Sequence, residues 1–147
     1  MNEQANRPAI MDVETAQKII ETQPFTRLLG ARLISLGADR CELKIPIQPD
    51  LLQQYGFLHG GVISYAADNA LTIAAAQAMG GAVVTSEFKI NYLRPAQGDA
   101  IIAKAHCIHA GRSQAVSRCD IVLVRGEEEK LCAVAQGTIS LLAPPKG

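Results

Sequence analysis

One uninterrupted run, residues 53–79 (QQYGFLHGGVISYAADNALTIAAAQAM), constrains the chain more than any other. From Val62 to Met79 it contains neither Gly nor Pro, and Ala dominates, so helix propensity is high. A helix of this length beginning at Gly60 is roughly 30 Å long, enough to cross a small domain. Val62, Ile63, Ala66, Ala67, Ala70, Leu71, Ile73, Ala74 and Ala78 make it apolar on most sides, the mark of a buried helix. Asp68 and Asn69 interrupt that apolar middle. A carboxylate among alanines is costly unless it is paired, hydrated or used.

The start of the same helix is also unusual. Its first N–H groups have no internal partners and sit at the positive end of the dipole, and Gly60 and Gly61 leave them open to a ligand oxygen. Gly61 and Asp68 lie on nearly the same face, about 10 Å apart along the axis. A reacting carbonyl has to sit within about 3 Å of both its donor and its attacking group. One straight helix cannot provide that. Two copies packed antiparallel across a two-fold axis can, so the pattern predicts a homodimer with two shared sites.

The remaining chain reads as a sheet for this helix to pack on. Residues 1–11 form a polar tail, and residues 12–21 an amphipathic helix with Asp12 as N-cap, ending before Pro24. Residues 28–36 read as a first strand. Residues 40–47 read as a second, with Cys41, Leu43, Ile45 and Ile47 on one side. After Gly80-Gly81, four strands follow at 82–93, 100–109, 114–124 and 131–142, and a tail at 144–147. Strict alternation in 82–93 places Val84, Ser86, Phe88, Ile90 and Tyr92 on one face, and Val83, Thr85, Glu87, Lys89 and Asn91 on the other. The short turns imply antiparallel pairing. The expected class is α+β, with a curved antiparallel sheet wrapped around one long helix. Residues 1–24 are read as tail and short helix, and 25–147 as one domain.

Composition excludes several functions. Lys plus Arg and Asp plus Glu both number 14, so there is no basic excess for nucleic acid. Cys41, Cys107, Cys119 and Cys132 form no CxxC, and His106 and His109 lack ligand spacing, so neither a metal nor another cofactor is expected. Buried reduced thiols, the absence of a secretory signal and the absence of a long charge-free apolar run point to a cytoplasmic protein.

GFLHGG followed by Asp68, with the later FKINYLRPAQGD, resembles the hotdog-fold acyl-CoA thioesterases, in particular their phenylacetic acid degradation subgroup. The likeness covers roughly residues 25–142. It implies thioester hydrolysis of an acyl-CoA, and a dimer, often paired into a dimer of dimers. By the same likeness, the Gly60 N–H polarises the thioester carbonyl, and Asp68 of the partner acts as nucleophile or general base. His59 holds the loop and the substrate carbonyl, and Thr85 stands near the attacking water. The family's Asn falls on Gln53, one methylene longer. Gly61, Lys89, Arg94, Arg112 and Ser113 are the candidates for binding coenzyme A. Two alternatives are a hotdog dehydratase or hydratase, against which the lack of Pro around His59 counts, and an acyl-CoA-binding module without turnover.

Overall fold

The computed structural model describes residues 11–143; the expected tail at 1–11, save Met11, and that at 144–147 lie outside the described residues. Helix α1, Val13–Ile20, is capped by the Asp12 carboxylate, which accepts from the Thr15 N–H at 2.8 Å. Its Ala16 and Ile20 join the core. Helix α2 follows at Pro24–Leu29. Then come strands β1, Arg32–Leu36, and β2, Arg40–Pro46, the long helix α3, Gly60–Met79, and strands β3, Val83–Tyr92, β4, Ala100–Ala110, β5, Gln114–Arg125, and β6, Glu128–Leu141.

The strand expected over residues 28–36 starts later, because Leu28 and Leu29 belong to α2. Pro24 cannot continue α1, but its fixed φ suits the first position of a new helix, so α2 starts there. Gly30, at φ 68°, ends it with N–H bonds back to the Arg27 and Thr26 carbonyls. Strand β1 is left with residues 32–36 only.

The six strands form one antiparallel sheet in the order β1-β2-β4-β5-β6-β3, with β1 and β3 as its edges. The sheet curves around α3, which lies against β2 through β6. On α3, Val62, Ile63, Ala66, Ala67, Ala70, Leu71, Ala74 and Ala75 are buried. They meet Leu43, Ile45, Ile101, Ile121 and Ile139 from the sheet, all fully buried. The small helical side chains let the strands approach the helix axis closely.

The helix is not covered on every side. Ser64, Tyr65, Asp68, Asn69, Thr72 and Ile73 are only half-buried within one chain. They recur at three- and four-residue steps, so they form one stripe along α3.

Strand β3 departs from strict alternation. Its pairing with β6 shifts between Thr85 and Glu87, so Ser86 is an extra residue in a β-bulge. The bulge lets Val83 and Thr85 share the inner face with Phe88 and Ile90, all half-buried, while Val84, Ser86 and Glu87 are exposed. The expected opposition of Thr85 to Phe88 is therefore overturned. Opposite the bulge, Gly137 lies so close to β3 that a Cβ there would meet the Glu87 carbonyl oxygen at 2.6 Å.

Candidate active site

The loop 50–59 places the start of α3. Gln53 accepts from the Tyr55 N–H through its side-chain oxygen and from the Gly56 N–H at 3.0 Å through its backbone. Gly56 turns at φ 84°, a conformation that glycine adopts without steric cost. The chain then returns through a Leu52–Leu58 bridge to His59.

His59 is the N-cap of α3. Its Nδ1 accepts from the Gly61 N–H at 2.8 Å, so in the neutral ring Nε2 carries the hydrogen. The Val62 and Ile63 N–H groups are turned to the His59 carbonyl, at 3.0 and 3.4 Å. The Gly60 N–H makes no hydrogen bond with any described residue. Of the two glycine donors, Gly61 is thus occupied by the cap and Gly60 is open. Tyr92, from the end of β3, donates to the Gly60 carbonyl at 3.0 Å and lies 2.5 Å from Ser64 Oγ. A shallow cleft of ≈ 360 Å³ opens beside Gly60, lined also by Gln53, Phe57, Ile63, Tyr92, Leu93 and Arg94.

Two turns further along, Asp68 Oδ1 accepts from Thr85 Oγ1 at 2.6 Å. That is a short, charge-assisted bond, and the bulge at Ser86 is what aims Thr85 at it. Thr72, one turn beyond Asp68, donates to the Asp68 carbonyl at 2.7 Å and lies 3.0 Å from Thr85 Oγ1. Sequence reasoning did not single out Thr72, although its spacing of four from Asp68 puts both on one helix face. On the other flank, the Tyr65 hydroxyl lies 2.5 Å from Thr26 Oγ1 and accepts from Asn69 Nδ2 at 2.9 Å. Burial pushes its phenol up from the ordinary value, an effect that Thr26 and Asn69 oppose and nearby Asp68 reinforces. Phe25 of α2 meets the Tyr65 ring edge-on at 5.0 Å.

The candidates for binding coenzyme A do not gather in one chain. Arg94 stands at the cleft. Lys89 lies on the outer face of the sheet with His106 and Arg118. Arg112 and Ser113 belong to the β4–β5 hairpin, whose Ser113 carbonyl accepts from the Leu141 N–H at 2.7 Å. Leu141 pairs with Val83 at the start of β3, so this hairpin lies at the opposite end of the sheet from Tyr92 and Gly60. Among the described residues, no three His, Cys, Asp or Glu side chains gather as a metal site, and no helix is long and apolar enough to cross a membrane.

A six-stranded antiparallel sheet curled around one long helix, with an open amide at the helix start and a carboxylate on its uncovered stripe, defines a hotdog domain. Residues 55–130 match the family model described as the thioesterase superfamily, and the chain belongs to that family. It is similar to a thioesterase family protein from Silicibacter pomeroyi, at 36% identity and a TM-score of 0.81, covering 87% of this chain and 98% of that one. The PaaI protein of the Escherichia coli phenylacetic acid degradation operon superposes with a TM-score of 0.80 at 25% identity, over 88% of this chain and 92% of that one. The medium/long-chain acyl-CoA thioesterase YigI of Escherichia coli K12 is 26% identical over 88% of this chain and 96% of its own length. These likenesses assign the chain to the thioester hydrolases.

Proposed function

We propose that the protein hydrolyses acyl-CoA thioesters at two equivalent sites, each shared between the subunits of a homodimer. The observation that carries this reading is the uncovered stripe of α3, which holds a carboxylate gripped by Thr85 at 2.6 Å and begins at the open amide of Gly60. Gly60 and Asp68 are about 12 Å apart along the axis, so the pair has to come from two copies.

The edge strand β3 supports the same assembly. It is ten residues long, its outer edge has no strand partner among the described residues, and Val84, Tyr92 and Leu93 around it are exposed. A long unpaired edge beside apolar side chains is a template for another strand. Pairing β3 with a second β3 would bring the two α3 helices alongside each other.

In this arrangement the thioester carbonyl oxygen accepts from the Gly60 N–H. As attack proceeds the oxygen gains negative charge, and a fixed donor already aimed at it stabilises that charge without reorganisation. Asp68 of the partner subunit then acts in one of two ways. As a base it takes a proton from water, whose oxygen bonds to the carbonyl carbon as the C–S bond breaks and the coenzyme A thiolate leaves and is protonated. As a nucleophile it bonds to the carbonyl carbon itself as the C–S bond breaks and the coenzyme A thiolate leaves and is protonated, and water then hydrolyses the resulting anhydride, releasing the acid and restoring the Asp68 carboxylate. Thr85 orients the carboxylate in either case. Gln53, in the cleft with Gly60, has its amide nitrogen free of any hydrogen bond to the described residues and is placed to meet the leaving group. Phe25 and Tyr65 offer a ring-lined wall for the acyl group.

The test is subunit complementation. Asp68→Asn and Gly60→Pro chains, each inactive alone on a panel of acyl-CoAs monitored for thiol release, are mixed and re-equilibrated. Recovery towards one quarter of wild-type activity per mixed population is expected, since half the dimers are mixed and each has one intact site. Mixed dimers that remain inactive would end the shared-site reading. No thiol release from the wild-type chain would end the hydrolase reading for this substrate class.

A further inference from the structure

At the end of the sheet where α3 begins, two turns are tied into one rim. The Asp99 N–H donates to the Val124 carbonyl at 2.8 Å, and Asp99 Oδ2 accepts from the Gly126 N–H at 2.8 Å. Arg125 Nη2 donates to the Gln97 carbonyl at 2.6 Å. Gly98 sits so close to β5 that a Cβ there would meet the Val124 carbonyl oxygen at 2.7 Å. The turn after β3 and the β5–β6 hairpin are therefore held in a fixed relation.

Between them lies a pocket of ≈ 170 Å³ lined by Arg94, Pro95, Leu123, Arg125, Glu128 and Lys130. Three cations face one carboxylate, and none of the three is ion-paired among the described residues. Arg125 spends one N–H on Gln97, which fixes the direction of its guanidinium and leaves the other donors available. A pre-set guanidinium fork matches a phosphate oxygen pair better than a mobile ammonium does, and Lys130 adds a point charge beside it. Arg94 and Pro95 also line the cleft at Gly60, so one wall runs from the open amide past Tyr92 and Leu93 into the basic pocket.

We infer that this rim pocket, through Arg94, Arg125 and Lys130, holds the phosphate groups of the coenzyme A portion while the thioester lies at Gly60. The inference rests on the acyl-CoA reading above. It places the nucleotide end of the substrate at the turn after β3, away from Lys89 on the outer face. Arg125 and Lys130 act on binding alone; neither reaches the thioester.

The experiment compares one acyl group carried on coenzyme A and on pantetheine, which lacks the phosphates. Arg125→Ala/Lys130→Ala is expected to raise KM for the acyl-CoA on the order of tenfold, with kcat held and kcat/KM for the pantetheine thioester moved less than about twofold. Rising salt should weaken acyl-CoA binding to the wild-type chain and affect the variant less. Lys130→Glu, which touches none of the ties that hold the rim, should shift KM in the same direction if Arg125→Ala loosens the hairpin. Lys44→Ala, an exposed cation on β2, is the control and should change neither substrate. Equal effects on both substrates, or none on acyl-CoA, would overturn the inference. Calorimetry with 3′-phospho-ADP tests the pocket without turnover. Binding to wild type that is lost in Arg125→Ala/Lys130→Ala upholds it even if no acyl-CoA is hydrolysed, and absence of binding to wild type overturns it.

Discussion

Replacing Gly60 by proline removes the N–H hydrogen from the site while leaving the helix backbone in place. Gly60 is the first residue of α3, where the N–H has no helical partner to lose and where the fixed φ of proline suits the helix. His59, at φ −60° and ψ 134°, already has the extended conformation that a following proline demands. The cap survives, because the Gly61 N–H and His59 Nδ1 are untouched. The added Cβ meets the Tyr92 ring and hydroxyl at 3.4 Å, a tight contact that Gly60→Ala reproduces with the N–H retained. The alanine variant is therefore the reference for the proline variant. Loss of one such donor in an oxyanion site costs about 3 kcal/mol, or roughly 10²–10³ in rate. Gly60→Pro is expected to lower kcat by that factor below Gly60→Ala, with the two melting temperatures within a few degrees. The proline Cδ stands where the hydrogen stood, so inhibition by free coenzyme A is measured alongside. It should be unchanged, since the product thiol has no carbonyl at that place. Equal kcat in the two variants would refute the assignment of the Gly60 amide to the reaction.

Two further outcomes follow from the same contacts. Thr85→Val keeps shape but removes the 2.6 Å bond to Asp68, so kcat should fall about 10- to 100-fold with KM little changed, and Thr85→Ser should restore most of the rate; a loss confined to KM would contradict a carboxylate-orienting role. Burial pushes the Cys41 thiol up from 9.0 to about 12. The folded chain keeps that proton while the unfolded chain loses it above pH 9, so stability should decline as pH rises from about 9 towards 12, by at most about 1.4 kcal/mol per pH unit for this thiol. Urea midpoints at about pH 8 and pH 10.5 should show a shallower decline in Cys41→Ala, and an unchanged slope would refute the contribution.

The parts of the site that rest on backbone direction were legible in the residues. A Gly-Gly step before an Ala-rich run announces a helix with open amides, of which the structure leaves that of Gly60 open and closes that of Gly61 on His59, and Asp68 is conspicuous because its neighbours are apolar. The same punctuation misled near the N-terminus. In the sequence Pro24 marks the stop of one helix, whereas it also starts the next, and Leu28-Leu29 look identical whether they end a short helix or open a strand. Apolar content alone does not choose between those periods over six residues.

Thr85 shows where local pattern fails for a physical reason. Two-residue alternation assigns it to the face of Glu87 and Lys89, away from the helix. Family likeness points it at the site. The extra residue at Ser86 reconciles the two, because a bulge lets residues three apart, Thr85 and Phe88, face the same way. Nothing in VTSEF marks a bulge; what permits it lies across the sheet, where Gly137 leaves room for β3 to press in. Carboxylate and amide are thus written into one helix, but the hydroxyl that orients the carboxylate depends on a glycine some fifty residues later. A single methyl group at Gly137 would therefore be expected to disturb Asp68 through β3, without touching any residue of the site itself.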